Sequence, residues 1–186
     1  DLANAPDLGQ LLDGIVPLQT KRVFTFFGMI PNLDPDVILP RLAALLCEGD
    51  QLLLSANLAP GDSYRGGVEA VLPQYDNAET CDWLSSFLEG LGVSASTGEL
   101  RFGIEEVVGL LRIIADFEFS ETLQLSVAGE SVEFAAGHAL CLFFSYRHTQ
   151  QTLAKYLAKH GLNIAASQIA SSGEEGVFRV VRGLVA

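Results

Sequence analysis

The chain has 186 residues, 49% of them hydrophobic and 18% charged, enough to bury a core as one domain or as one domain with a substantial insertion. Twenty-three acidic against eleven basic residues give a net charge of −12, and the Lys and Arg residues are scattered, which argues against a nucleic-acid partner. Mean hydropathy is positive, but charge, Gly or Pro breaks every apolar run well before the roughly 18 residues of a spanning helix, so no membrane partner is expected.

Residues Leu8, Leu11, Leu12 and Ile15 share one helical face, and the apolar run Val23 to Phe27 ends at Gly28. The pattern predicts a short helix and then a strand buried on both sides. Asp34 and Pro35 are suited to the cap and first turn of a helix running to about Cys47, with Pro40 placing a kink inside it. A second strand covers Leu52 to Asn57. Strand, helix and strand make a βαβ unit, so the front third predicts half of a doubly wound sheet whose strands are covered by helices.

A Gly- and Pro-containing loop follows from Ala59 to Gly67, and residues 76–91 predict a helix with Cys81, Leu84, Leu88 and Leu91 on one face. From Leu110 to Tyr146 the period approaches two: Ile113, Ala115, Phe117 and Phe119 alternate with Arg112, Ile114, Asp116 and Glu118. This stretch predicts an antiparallel section that includes Val132 to Phe134 and Leu140 to Tyr146. Thr149 then begins a helix with Leu153, Tyr156 and Leu157 inward, stopping at Gly161, and two strands flank the turn 172–176. Three segments result: a βαβ part over 1–58, a helix with the antiparallel insertion over 59–148, and a closing helix and hairpin over 149–186.

Cys47, Cys81 and Cys141 are odd in number and mostly set in apolar sequence, which predicts small buried side chains in a reducing compartment, hence the cytoplasm. The first residue is Asp1 and no leader opens the chain, so the start is expected to be processed or cut from something longer. His138, His148 and His160 lack the spacing of a metal site. No nucleophile elbow, phosphate loop or G-x-G-x-x-G turn is present, which leaves binding chemistry at strand ends.

At such an end lie Phe26 to Asn32. Asn32 is a polar group offered to a ligand, or else it helps to cap a turn shaped by Gly28 and Pro31. Farther on, Asp76 or Asn77 suits a helix cap, while Tyr75 is free to pack or to bind.

Four blocks occur in order: Phe27-Gly28-Met29-Ile30-Pro31-Asn32-Leu33-Asp34-Pro35, Gly49 to Leu54, Tyr75-Asp76-Asn77-Ala78, and Phe134 to Gly137 with Ser145-Tyr146-Arg147. Together they resemble the histidine-specific methyltransferase family of the ergothioneine pathway, from its fourth strand onward, and nothing in the chain corresponds to that family's glycine-rich cofactor turn. The resemblance implies an α/β fold: the C-terminal half of a class I, Rossmann-like methyltransferase sheet with an antiparallel, β-rich insertion on the substrate side. It implies an S-adenosylmethionine-dependent N-methyltransferase acting on an amino acid or related small amine. Gly28 and Met29 take the place beside the cofactor, and Asn32 and Tyr75 the place holding the amino acid end of the acceptor. Ser145 matches a Ser that faces the acceptor ring, while Phe143 stands where the family carries a Glu, so an apolar or aromatic amine is expected rather than histidine. As a partner the resemblance implies the family's N-terminal Rossmann half, or a second copy, and it makes the isolated stretch inactive alone. The rival reading is a non-catalytic binding or regulatory module that keeps the methyltransferase shape.

Overall fold

A computed structural model describes residues 15–16 and 20–183. The helix expected around Leu8 to Leu12 lies outside these residues. In chain order the elements are β1 (Val23–Phe26), α1 (Pro35–Leu45), β2 (Gln51–Asn57), α2 (Tyr64–Val71), α3 (Ala78–Gly90), β3 (Gly98–Val107), β4 (Leu110–Phe119), β5 (Leu123–Val127), β6 (Glu130–Phe134), β7 (Ala139–Arg147), α4 (Gln150–Lys159), β8 (Leu162–Ile169) and β9 (Glu175–Arg182). Short 3-10 turns cover Ile30–Asn32, Leu72–Gln74 and Ala95–Thr97. The chain divides into two compact units: one runs up to Tyr64 and resumes at Tyr146, and the other is Arg65–Ser145.

The first unit holds a four-stranded sheet in the order β1-β2-β9-β8. β1 and β2 are parallel, and β9 runs antiparallel to both β2 and β8, so the sheet is mixed. Phe26, Leu52, Leu54, Ala56, Phe178 and Val180 form a buried face. On the opposite face Val23 is 61% exposed, and Thr25, Val177 and Arg179 are exposed too. The expectation of a first strand buried on both sides is therefore corrected: the apolar run is real, but the described helices leave one face of it open.

Asp34 caps α1 by accepting the Asp36 N–H at 2.9 Å, and the helix carries Pro40 inside. Thr149 caps α4 in a reciprocal capping box with Thr152, and Leu153, Tyr156 and Leu157 are buried as the period predicts. One buried ion pair ties the beginnings of β1 and β2 together. The Asp50 carboxylate accepts from the Arg22 backbone N–H, from Arg22 Nε and Nη2, and from the Cys47 N–H, all within 3.0 Å. Burial pushes the Asp50 carboxyl up, but the Arg22 and Cys47 hydrogen bonds outweigh it and hold it below the usual carboxylate range.

The second unit contains a three-stranded sheet, β3-β4-β7, and the β5–β6 hairpin. β4 buries Ile113, Ala115, Phe117 and Phe119 as the alternation predicts. Phe117 and Phe119 pack with Leu88, Val93 and Leu125, and Leu100, Leu123, Phe134, Leu140 and Leu142 close around them. β3 pairs with β4 from Gly98↔Phe119 to Val107↔Leu110, a strand the alternation did not reveal. The joining residues Val108 and Gly109 have φ of 51° and 78°. Such a two-residue turn ordinarily carries Asn-Gly or Asp-Gly, so Val108 concealed the hairpin. α2 likewise occupies part of the segment expected as a loop, since Gly66 and Gly67 weaken its helical pattern. Cys47 and Cys141 are exposed and Cys81 half-buried, all three free, which corrects the expectation of buried thiols. No helix among the described residues is long and apolar enough to cross a membrane.

Candidate functional site

In the first unit the chain leaves β1 at Phe26 and turns at Gly28, whose φ is 70°, a conformation glycine adopts without cost. The Gly28 N–H donates to Ser55 Oγ at 2.7 Å, which pins this turn to β2. A Cβ added at Gly28 would meet nothing within 4 Å, and Phe27 and Met29 are exposed. Ile30 and Pro31 are buried and anchor the 3-10 turn, and the Asn32 N–H closes it on the Met29 carbonyl at 3.1 Å. Asn32 is exposed at its end. The cap of α1 is Asp34 rather than Asn32. Gly28, Met29 and Asn32 thus sit together at the C-terminal end of a strand in a parallel pair, where α/β sheets present ligands.

In the second unit Asn77 caps α3 by accepting the Thr80 N–H at 2.9 Å, and its Nδ2 donates to the Gln74 carbonyl at 2.6 Å. Asn77 rather than Asp76 is the cap, and these bonds fix the corner that carries Tyr75. Phe143 and Ser145 are two residues apart on β7 and so share a face. The Tyr75 hydroxyl lies 3.3 Å from Ser145 Oγ, and the Tyr75 and Phe143 rings are 5.6 Å apart with a 32° tilt. Three residues singled out in the sequence therefore meet within one unit.

A fourth was not singled out. The Trp83 ring stands 6.5 Å from Phe143, edge to face at 75°, and is 61% exposed. In sequence Trp83 is merely one apolar residue of a helix whose inward face is set by Leu84 and Leu88; its place outside that face is the available signal. Cys141 lies on the same strand; although the residue is exposed, partial desolvation of its sulfur together with a hydrogen bond to Asp116 pushes the thiol up, which leaves it a poor nucleophile.

In the first unit, Arg147 and His148 serve the fold. Buried Arg147 donates from Nη1 to the Leu58 and Glu174 carbonyls at 3.2 and 3.3 Å, and its own carbonyl accepts from the Tyr64 hydroxyl at 2.6 Å. His148 is clasped by its backbone between Asn57 and Ala59, with both ring nitrogens buried and unbonded. Burial lowers its pKa to about 4, so the ring is neutral at pH 7. Among the described residues no group of three His, Cys, Asp or Glu is arranged to hold a metal ion.

No family model matches the chain, and no curated protein matches its sequence. Among solved structures it is similar to an S-adenosylmethionine-dependent methyltransferase from Clostridium acetobutylicum ATCC 824, at 12% identity and a TM-score of 0.40 over 98% of this chain and 63% of that one. It is also similar to the mitomycin 7-O-methyltransferase MmcR, at 13% identity and a TM-score of 0.41 over 87% of this chain and 29% of that one. A third is the glycopeptide N-methyltransferase MtfA with S-adenosyl-L-methionine, at 14% identity and a TM-score of 0.33 over 90% and 60%. The chain spans less than two thirds of the length of each. At this level the likeness assigns no chemistry to any residue.

Proposed function

We propose that the chain is the acceptor-side portion of an S-adenosylmethionine-dependent N-methyltransferase acting on an amino acid or small amine with an apolar or aromatic side chain. The observation that carries the reading is the meeting of Tyr75, Phe143 and Ser145, three positions that the resemblance gives to the acceptor and that lie up to 70 residues apart in sequence. The cofactor's place suits the open side of Gly28 and the exposed Met29, where backbone can be approached closely. When bound, S-adenosylmethionine supplies a methyl group on a sulfonium, and the acceptor nitrogen that takes it releases a proton to water.

The chain's own part is alignment and exclusion of water, which needs no nucleophile. Asn32 offers an amide to the amino acid end. Tyr75 offers a hydroxyl held by Ser145, and Phe143 an apolar ring where a carboxylate would accept an imidazole N–H. Phe143→Glu supplies that acceptor; a hydrogen bond to a charged group contributes about 1.5–3 kcal/mol, so the histidine-to-phenylalanine methylation ratio is expected to rise about tenfold or more. Asn32→Ala is expected to weaken all acceptors alike. The measurement is methyl transfer from labelled S-adenosylmethionine by the protein expressed from its complete open reading frame. Absence of transfer to every amine tested overturns the reading, and an unchanged ratio in folded Phe143→Glu removes Phe143 from the pocket.

A further inference from the structure

The negative charge of this protein is unevenly placed. Residues 65–145 carry thirteen carboxylate side chains against three arginines and no lysine, which accounts for ten of the twelve net negative charges. Each of those arginines is already paired with a carboxylate: Arg65 with Glu106, Arg101 with Glu99 and Arg112 with Glu105. From 66 to 100, the stretch that contains Tyr75 and Trp83, there are six acidic residues and no basic one. Asp82 directly precedes Trp83, and Asp76 directly follows Tyr75. The same unit holds a group of three aromatic rings with Phe143 at its centre, 5.6 Å from Tyr75 and 6.5 Å from Trp83.

Burial alone does not account for Trp83. Its helix is anchored by Leu84 and Leu88, both buried, whereas Trp83 and Phe87, one turn apart, are 61% and 57% exposed. Ring faces carry partial negative charge and attract cations, most strongly those too poorly hydrated to prefer water, and neighbouring carboxylates add a long-range pull of the same sign. An anionic or purely hydrocarbon ligand would gain nothing from that field.

We propose that the Tyr75–Phe143–Trp83 group binds an organic cation, an ammonium bearing apolar substituents, with Trp83 as the outer ring that sets specificity. The inference deepens the methyltransferase reading by naming the charge state in which the acceptor amine is captured, an ammonium that gives a proton to water before its nitrogen has the lone pair to take a methyl group. It rests on that reading for the biological role, but its test needs neither cofactor nor turnover. Failure of one is thereby separable from failure of the other.

Trp83 is the single tryptophan of the chain and reports on its own site. The experiment titrates the 186-residue chain with choline and with 3,3-dimethyl-1-butanol, its uncharged carbon isostere, at constant ionic strength, following tryptophan fluorescence. Choline is expected to give a saturable change, and the isostere to bind about tenfold more weakly, the ratio a desolvated cation–ring contact supplies. Phe143→Leu is expected to weaken choline about tenfold. Tyr75→Leu, with circular dichroism as the check on folding, serves if Phe143→Leu does not fold. Equal affinity for the two ligands, no saturable change with choline, or unchanged affinity in the folded variant overturns the proposal.

Discussion

At the scale of single residues, His148 shows how a side chain's environment becomes a property of the protein. Its ring is neutral and unbonded in the interior, with a pKa near 4, whereas an unfolded histidine titrates near 6.5. Between those values the unfolded chain binds more protons, so stability is full above about pH 6.5 and falls as the pH drops toward 4, by about 3 kcal/mol in all. His148→Leu removes this linkage. Urea unfolding at pH 7 and pH 4.5 is expected to show a smaller loss in the variant than in the wild type, and an equal loss would place the acid sensitivity elsewhere. Below pH 4 the Asp50 carboxylate, held low by Arg22 and Cys47, adds a second loss of the same sign. His148 stood out in the sequence only as a histidine without metal spacing, because nothing local says that its ring is enclosed.

At the scale of elements, local chemistry that satisfies itself was legible. The box in which Thr149 accepts the Thr152 N–H at 3.0 Å, while Thr152 Oγ1 accepts the Thr149 N–H at 2.8 Å, begins α4 where the sequence places it. Thr149→Ala removes half of that exchange and is expected to cost about 1 kcal/mol, with Thr149→Ser keeping most of it. Chemical denaturation decides this, and a cost within error of zero for Thr149→Ala would mean that packing of Leu153, Tyr156 and Leu157 holds α4 without its cap. β3 was missed for a nonlocal reason. Its residues are made into a strand by ten-residue pairing with β4, through a turn whose Val108 contradicts its own conformational preference.

At the scale of the whole molecule, the dominant facts are the charge and its uneven distribution. With a pI near 4.5, repulsion that keeps copies apart at pH 7 vanishes in the range where His148 protonation weakens the fold. Solubility at low salt is therefore expected to reach its minimum near pH 4.5 and to recover on return to pH 7. Turbidity across pH 3.5–8 measures it; a minimum more than one unit away would show that exposed apolar surface such as Val23, Phe27 and Phe87, rather than net charge, governs association.

Composition, period and capping residues by themselves determined that this chain is a mixed α/β protein with its strands near 23, 52, 110 and 140 and its helices near 35, 78 and 150, because those signals act over a few residues. The same local logic marked Gly28 and Asn32, where a strand gives way to a turn. Tertiary structure alone decided that Tyr75, Phe143 and Ser145 meet, that Trp83 joins them, and that among the described residues Val23 and Thr25 on one face of β1 are left exposed. Contacts across tens of residues leave no periodic trace, and whether an apolar strand is covered depends on what packs against it, which its own residues do not encode.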